Sequence, residues 1–216
     1  MRVIGINGSP RKAWNTATLL GKALEGAASQ GAETELVHLY DLDFQGCISC
    51  FACKLRDGKS YGRCAVRDDL APVLDAIAGA DALVLGSPIY FGCVTGEMRS
   101  FLERLLFPYL VYTNPTSSLF GRPLRTAFIY TMNAPEEYVE AIGYGQLFRA
   151  NEQALGLIFR QPSESLCSFE TLQFADYSKV VFDYSDPEVR RERRRTVFPQ
   201  DCENAFDLGA RLAAPR

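Results

Sequence analysis

The chain has 216 residues, 47% hydrophobic and 23% charged, with a formal net charge of −3. That composition supports a sizeable core and excludes a disordered chain, and so mild a charge gives no electrostatic case for a nucleic-acid partner. No apolar run approaches transmembrane length and the first residues already read as a strand, so the expectation is a cytoplasmic chain with no membrane partner.

In chain order, residues 1–6 read as a buried strand. Residues 16–30 read as a helix, with Leu19, Leu20, Ala23, Leu24 and Ala27 at helical spacing and Gly31 as its stop. Between them lies Asn7-Gly8-Ser9-Pro10-Arg11-Lys12-Ala13-Trp14-Asn15-Thr16. A strand, a tight loop and a helix start make a ready anion site, because the first helical amides are unpaired and the helix dipole adds positive charge. Ser9, Asn15 and Thr16 add donors, Arg11 and Lys12 add full charges, and a phosphate is the natural guest. The loop has neither the Gly-x-x-x-x-Gly-Lys-Ser/Thr nor the Gly-x-Gly-x-x-Gly pattern, which removes an ATPase loop and a dinucleotide fingerprint. The plain alternative is a strand-to-helix turn with Asn15 as N-cap.

Residues 33–39 suit a second strand, and His38, the only histidine, reads as structural there. Residues 41–67 form a long segment without periodicity, with turns at Gly46, Gly58 and Gly62. It carries Cys47, Cys50, Cys53 and Cys64, four of the seven cysteines. Such clustering points to metal or redox work before disulfides. A four-iron cluster, a disulfide and reduced thiols all suit these four residues, and zinc suits them less because no histidine lies nearby. Cys93, Cys167 and Cys202 are isolated and read as small core residues.

Asp68-Asp69 opens a helix through Leu70, Val73, Leu74 and Ile77 to Gly79, and residues 81–86 form a near-continuously apolar third strand. Ser87-Pro88-Ile89-Tyr90-Phe91-Gly92 follows, then a helix over 96–107 and a second long connection at 108–123. Residues 124–131 are a fourth strand that runs into Met132-Asn133-Ala134-Pro135. A helix over 136–157, with Gly143 and Gly145 as breaking points, precedes a fifth strand at 163–168. From Asp186 onward the chain reads as helical, with Pro187 at a first helical position and Pro199 either a kink or a new start. Arg190, Arg191, Arg193, Arg194 and Arg195 form a basic run, read as a solvated helix face before a contact for phosphate or carboxylate.

Alternating strands and helices call for a parallel sheet with right-handed crossovers. The expectation is one α/β domain over residues 1–216: a doubly wound five-stranded parallel sheet of order 2-1-3-4-5 with helices on both faces. The ligand then lies outside the carboxyl ends of strands 1 and 3. Loops 7–16, 87–92 and 131–134 all leave from that edge. Pro88, Ile89, Tyr90 and Phe91 give rigid apolar surface for a flat ring, and Gly92 lets backbone approach closely.

Asn7-Gly8-Ser9-Pro10-Arg11 with Asn15-Thr16, then Gly86-Ser87-Pro88-Ile89-Tyr90-Phe91-Gly92, resembles the flavodoxin-like NAD(P)H-dependent FMN reductase family over about residues 1–135. Cys47-x-x-Cys50-x-x-Cys53 with Cys64 is similar to its iron–sulfur flavoprotein branch, although the ten residues between Cys53 and Cys64 are more than that branch usually shows. The resemblance implies FMN as cofactor and NAD(P)H as co-substrate. It implies Ser9, Arg11, Asn15 and Thr16 on the phosphate, Pro88, Ile89, Tyr90, Phe91 and Gly92 on the ring, and Thr131 and Asn133 on the third side. It further implies a [4Fe–4S] cluster on Cys47, Cys50, Cys53 and Cys64, a small-molecule or protein electron acceptor, and a homodimer or homotetramer. No residue acts as a separate catalytic acid, base or nucleophile in this reading, since the flavin carries the chemistry.

Overall fold

The computed structural model describes residues 1–139 and 141–215. In chain order it comprises β1 (Arg2–Asn7), α1 (Asn15–Ser29), β2 (Glu33–His38), α2 (Leu70–Gly79), β3 (Ala82–Tyr90), β4 (Cys93–Val94) and α3 (Gly96–Leu106). There follow β5 (Leu110–Val111), β6 (Ser117–Ser118), β7 (Arg125–Thr131), α4 (Tyr144–Phe159), β8 (Ser163–Ser168), α5 (Pro187–Thr196) and α6 (Phe198–Ala213). Five parallel strands run in the order β2-β1-β3-β7-β8, the expected 2-1-3-4-5.

The sheet is covered on both faces because its strands alternate between two apolar layers. Ile4, Ile6, Leu83, Leu85, Phe128 and Tyr130 pack with α2, α3 and α4. Val3, Ala82, Val84, Ala127 and Ile129 pack with α1 and α6. Each fully buried Val, Leu, Ile or Phe among them contributes roughly 1.5–3 kcal/mol. Helices α1 and α6 touch backbone to backbone: a Cβ on Gly209 would lie 1.7 Å from the Ala23 carbonyl oxygen, and one on Gly26 would lie 1.9 Å from that of Phe206. Only glycine permits that crossing.

Several boundaries differ from the sequence reading. The third strand continues past Gly86 to Tyr90 and then folds back through Phe91 and Gly92 into β4. β1 pairs with β3 only as far as Gly86, so Ser87 and Pro88 keep β7 alone as ladder partner, and Pro88 forfeits no ladder hydrogen bond to β1. The expected helix over 136–157 is a helical turn at Glu136–Tyr138 and then α4, which begins after Gly143 at φ +78°; residue 140 lies outside the described residues. So does residue 216 of the expected C-terminal helical stretch. Pro199 belongs to the first turn of a separate helix, α6, so the second reading of that proline holds. The 108–123 connection folds into the β5–β6 hairpin, pinned where Tyr109 meets Phe120 edge to face at 5.0 Å.

Candidate functional site

The loop after β1 is held by its own polar groups. Asn7 Oδ1 accepts the Ser9 amide at 3.0 Å, and Asn7 Nδ2 donates to the Ser9 carbonyl at 3.3 Å. Asn7 Nδ2 also lies 2.9 Å from His38 Nδ1, a hydrogen bond that ties the loop to the end of β2. Thr95 donates its hydroxyl proton to the Gly8 carbonyl at 2.6 Å and accepts the Met98 amide as N-cap of α3. The start of α3 and the β1 loop are therefore fixed together.

The N-cap of α1 is Trp14, not Asn15, and no side chain caps this helix; its first turn holds no acidic residue. The first intrahelical bond is from the Thr18 amide to the Trp14 carbonyl at 2.8 Å, so the amides of Asn15, Thr16 and Ala17 precede the ladder. Ser9, Asn15 and Thr16 are all buried beside this start. A phosphate fits such a place on donor chemistry alone.

A cavity of about 230 Å³ opens here. Its walls are Ser9, Arg11, Trp14, Asn15 and Thr16 from the first loop, Pro88, Ile89 and Tyr90 from β3, and Thr131, Met132 and Asn133 after β7. The structure thus brings together nine of the eleven residues assigned to FMN from the sequence. Phe91 and Gly92 are not among the residues that line the cavity. They form the tip of the β3–β4 hairpin, outside the cavity lining, because the strand carries the chain past it. Thr16 Oγ1 and Thr131 Oγ1 lie 2.8 Å apart and tie the first and third walls. Asn133 Oδ1 is buried with no partner, an acceptor of the kind that an N–H on a flavin rim satisfies.

Sequence reasoning missed a fourth wall. After β8 the chain passes over the end of the cavity beside the start of α1, and Thr171, Gln173 and Phe174 line it. Trp14 Nε1 donates to the Leu172 carbonyl at 2.8 Å, Asn15 Nδ2 to the same oxygen at 2.9 Å, and Arg11 Nη1 to the Gln173 carbonyl at 2.5 Å. The Arg11 guanidinium also stacks on Trp14 at 3.9 Å. One guanidinium N–H of Arg11 is spent on this strap after β8, and a guanidinium carries five N–H donors in all.

The arginine run is not a uniformly solvated face. Arg191 and Arg195 pair with Glu188 and Glu192 on the surface. Arg190 is 1% exposed and pairs with Glu170 at 2.6 Å, and Arg193 pairs with Asp201 at 3.0 Å. Arg194 donates to Asn15 Oδ1 at 2.9 Å. A helix sends such a run to several faces, and the strap and α6 offer acceptors on the inner ones.

The cysteine segment forms a second site. Cys47, Cys50, Cys53 and Cys64 all line one small, mostly apolar cavity beside Arg104 and Phe107. All are free thiols. Burial pushes the Cys53 thiol above its ordinary value. Ser49 and Phe51, on either side of Cys50, both take φ +54°, a left-handed conformation that costs about 1–3 kcal/mol for such residues. Arg104 is buried and holds the segment: Nε donates to Cys64 Sγ at 3.3 Å, Nη1 to the Gln45 carbonyl at 3.1 Å and Nη2 to the Val66 carbonyl at 3.3 Å. Its guanidinium is bidentate on Asp68, with Nη2 to Oδ1 at 2.9 Å. Among the described residues no three His, Cys, Asp or Glu side chains come close enough together to hold a metal ion. Four thiols around one cavity do match, in kind and number, what a four-iron cluster requires.

Comparison with known proteins agrees with this geometry. The profile of the family described as NADPH-dependent FMN reductase matches residues 1–136. An iron–sulfur flavoprotein of Methanocaldococcus jannaschii is 40% identical over 104 residues, 48% of this chain and 51% of that protein. One from Methanosarcina thermophila is 31% identical over 104 residues, 48% of this chain and 52% of that protein. The aligned stretch thus spans about half the length of these curated relatives. Among solved structures, an NAD(P)H:quinone oxidoreductase from Methanothermobacter marburgensis superposes with a TM-score of 0.71 at 15% identity, over 98% of each chain. An FMN-dependent NADH-azoreductase from Bacillus anthracis, in complex with FMN, gives 0.65 at 13% identity, over 99% of this chain and 100% of that one. These two likenesses establish the flavodoxin-like fold. No helix among the described residues is long and apolar enough to cross a membrane.

Proposed function

This chain belongs to the NADPH-dependent FMN reductase family, and on that premise we propose that it is an FMN-binding oxidoreductase. It takes hydride from NADH or NADPH and passes the electrons to a quinone, a free flavin or another redox partner. The observation that carries the reading is the meeting of the loop after β1, the last residues of β3 and the end of β7 with its following loop around one cavity at the carboxyl edge of the sheet. Ser9, Arg11, Asn15 and Thr16, with the uncapped start of α1, would hold the phosphate. Pro88, Ile89 and Tyr90 would flank the ring, and Thr131 and Asn133 would close the third side.

Bound FMN supplies the hydride acceptor and the electron store. The residues of the chain bind, orient and exclude water. The Thr16–Thr131 hydrogen bond keeps two walls in register, and Pro88 and Ile89 keep the ring side apolar. Absorbance of the pure protein tests the reading, together with NAD(P)H oxidation in the presence of a quinone or ferricyanide. Flavin bands and turnover are expected. A colourless protein that takes up no FMN on reconstitution would overturn it.

A second reading adds a [4Fe–4S] cluster on Cys47, Cys50, Cys53 and Cys64, which would make the chain an electron carrier as well as, or in place of, a nicotinamide oxidase. It is supported by the four thiols on one cavity and by the left-handed residues around Cys50. Iron and acid-labile sulfide after anaerobic purification decide it. About four of each per chain are expected, and Cys50→Ala should lose them. Fewer than one iron after anaerobic reconstitution leaves an FMN reductase with free thiols.

A further inference from the structure

Helix α5 lies beyond residues 1–136, the stretch that the family profile matches, yet it reaches the anion end of the cavity. Its hydrogen bond to the first loop comes from Arg194. Arg194 Nη1 donates to Asn15 Oδ1 at 2.9 Å. At the other end of the same amide, Asn15 Nδ2 donates to the Leu172 carbonyl at 2.9 Å. Asn15 is 5% exposed and lines the cavity.

An amide presents an acceptor at one end and two N–H donors at the other, and its neighbours decide which end faces where. Arg194 claims the acceptor end and Leu172 takes one of the two donors. One N–H is left over on a cavity-lining residue. With the amide turned the other way, its carbonyl oxygen would take the place of that donor and would repel an anion. Charge adds to the same effect. Arg190, Arg191, Arg193 and Arg195 each have a carboxylate partner, whereas among the described residues Arg194 has none. Its guanidinium rests on the Phe198 ring at 3.8 Å, which fixes the side chain without neutralising it.

We propose that Arg194 is a positioning residue for a phosphate monoester at this end of the cavity: it locks the Asn15 amide with a donor free and places an unneutralised positive charge behind it. The proposal rests on the FMN reading above and deepens it. It makes phosphate affinity in this chain depend on a helix that the family profile does not cover.

FMN and riboflavin differ by the phosphate alone, so their relative affinity reads this end of the site. Both are titrated into the full-length apoprotein, followed by flavin fluorescence. The wild type is expected to prefer FMN by at least tenfold. Arg194→Met keeps an aliphatic stem and removes the donor, the charge and the guanidinium's contact with Phe198. It should weaken FMN about tenfold and leave riboflavin within twofold, the effect of one hydrogen bond to a charged group. Arg194→Lys should recover part of the preference. In the Asn15→Ala background the Arg194→Met loss should be less than additive. Equal losses for both flavins, an unchanged preference for FMN, or full additivity with Asn15→Ala would each overturn the positioning role while the FMN reading stands. A wild type that binds neither flavin would instead defeat the FMN reading itself. If Arg194→Met does not fold, Arg194→Ala is judged by the same ratio.

Discussion

Thr16 and Thr131 are 115 residues apart in the chain, and their hydroxyl oxygens lie 2.8 Å apart. One opens α1 and the other closes β7, and both are buried. A hydroxyl pair of this kind joins the wall at the start of α1 to the third wall of the cavity. Thr131→Val keeps the side-chain shape and removes the partner, which leaves a buried Thr16 hydroxyl unsatisfied. A loss of about 1–3 kcal/mol is expected, read as a lower urea midpoint with an unchanged slope. Bound flavin should also dissociate faster. Wild-type stability in this variant would show that the two walls are fixed by other contacts.

Asp68 anchors the cysteine segment through Arg104, and that anchor is pH-dependent. The hydrogen bond from Arg104 holds the Asp68 carboxyl below its usual range. The unfolded chain then binds the proton more readily, so stability rises with pH across this window. The contribution is complete above the ordinary carboxylate value of about 4 and is lost as pH falls through the lowered folded value. Urea midpoints from neutral to acid pH should fall more steeply for the wild type than for Asp68→Asn. The variant should also be weaker at neutral pH, because it leaves the buried Arg104 charge short of its partner. Parallel acid limbs in the two proteins would refute this.

Much of the fold was legible because alternation survives in the sequence. Ala82, Leu83, Val84 and Leu85 are apolar on both faces, as a covered strand requires, and Gly31 stops α1 at φ +80°. Nine cavity residues were found because they sit at or just beyond the carboxyl ends of strands that the strand order sends to one edge. What stayed hidden has a physical reason in each case. Leu172 and Gln173 act through main-chain carbonyls, which leave no trace in residue type. Arg194 reads as one more surface arginine until Asn15 is seen beside it. The course of β3 past Gly86 depends on where β1 ends, which the local sequence of β3 does not contain.

The cysteines should differ in reactivity in a way that also tests the cluster. Cys47, Cys50 and Cys93 are exposed. Cys53 is buried, which pushes its thiol up, and burial pushes that of Cys167 up to about 12. The thiolate is the nucleophile, so brief iodoacetamide treatment of reduced protein at neutral pH should label Cys47, Cys50 and Cys93 first and Cys167 last. After anaerobic reconstitution with iron and sulfide, Cys47 and Cys50 should become protected while Cys93 still labels. Peptide mass spectrometry gives the order. Protection of all three, or of none, would count against a cluster at this site.

The tip of the β3–β4 hairpin is strained and bare. Phe91 and Gly92 take φ +48° and +77°, the two left-handed positions of a two-residue hairpin turn, where asparagine followed by glycine is the usual pair. Phenylalanine fits the first position poorly, and here its relative exposure is 107%, with Tyr90 beside it at 46%. An isolated chain gains nothing from a strained aromatic in water. A second copy covering this hairpin would explain it, and a homodimer or homotetramer is therefore expected in solution. Phe91→Asn separates the two effects. It should relax the turn by about 0.5–1 kcal/mol, the scale on which residues that tolerate a left-handed backbone gain over those that do not. It should at the same time lower the mass seen by light scattering at micromolar concentration. A monomeric wild type, or a variant that is more stable with its mass unchanged, would show that the hairpin makes no contact between copies.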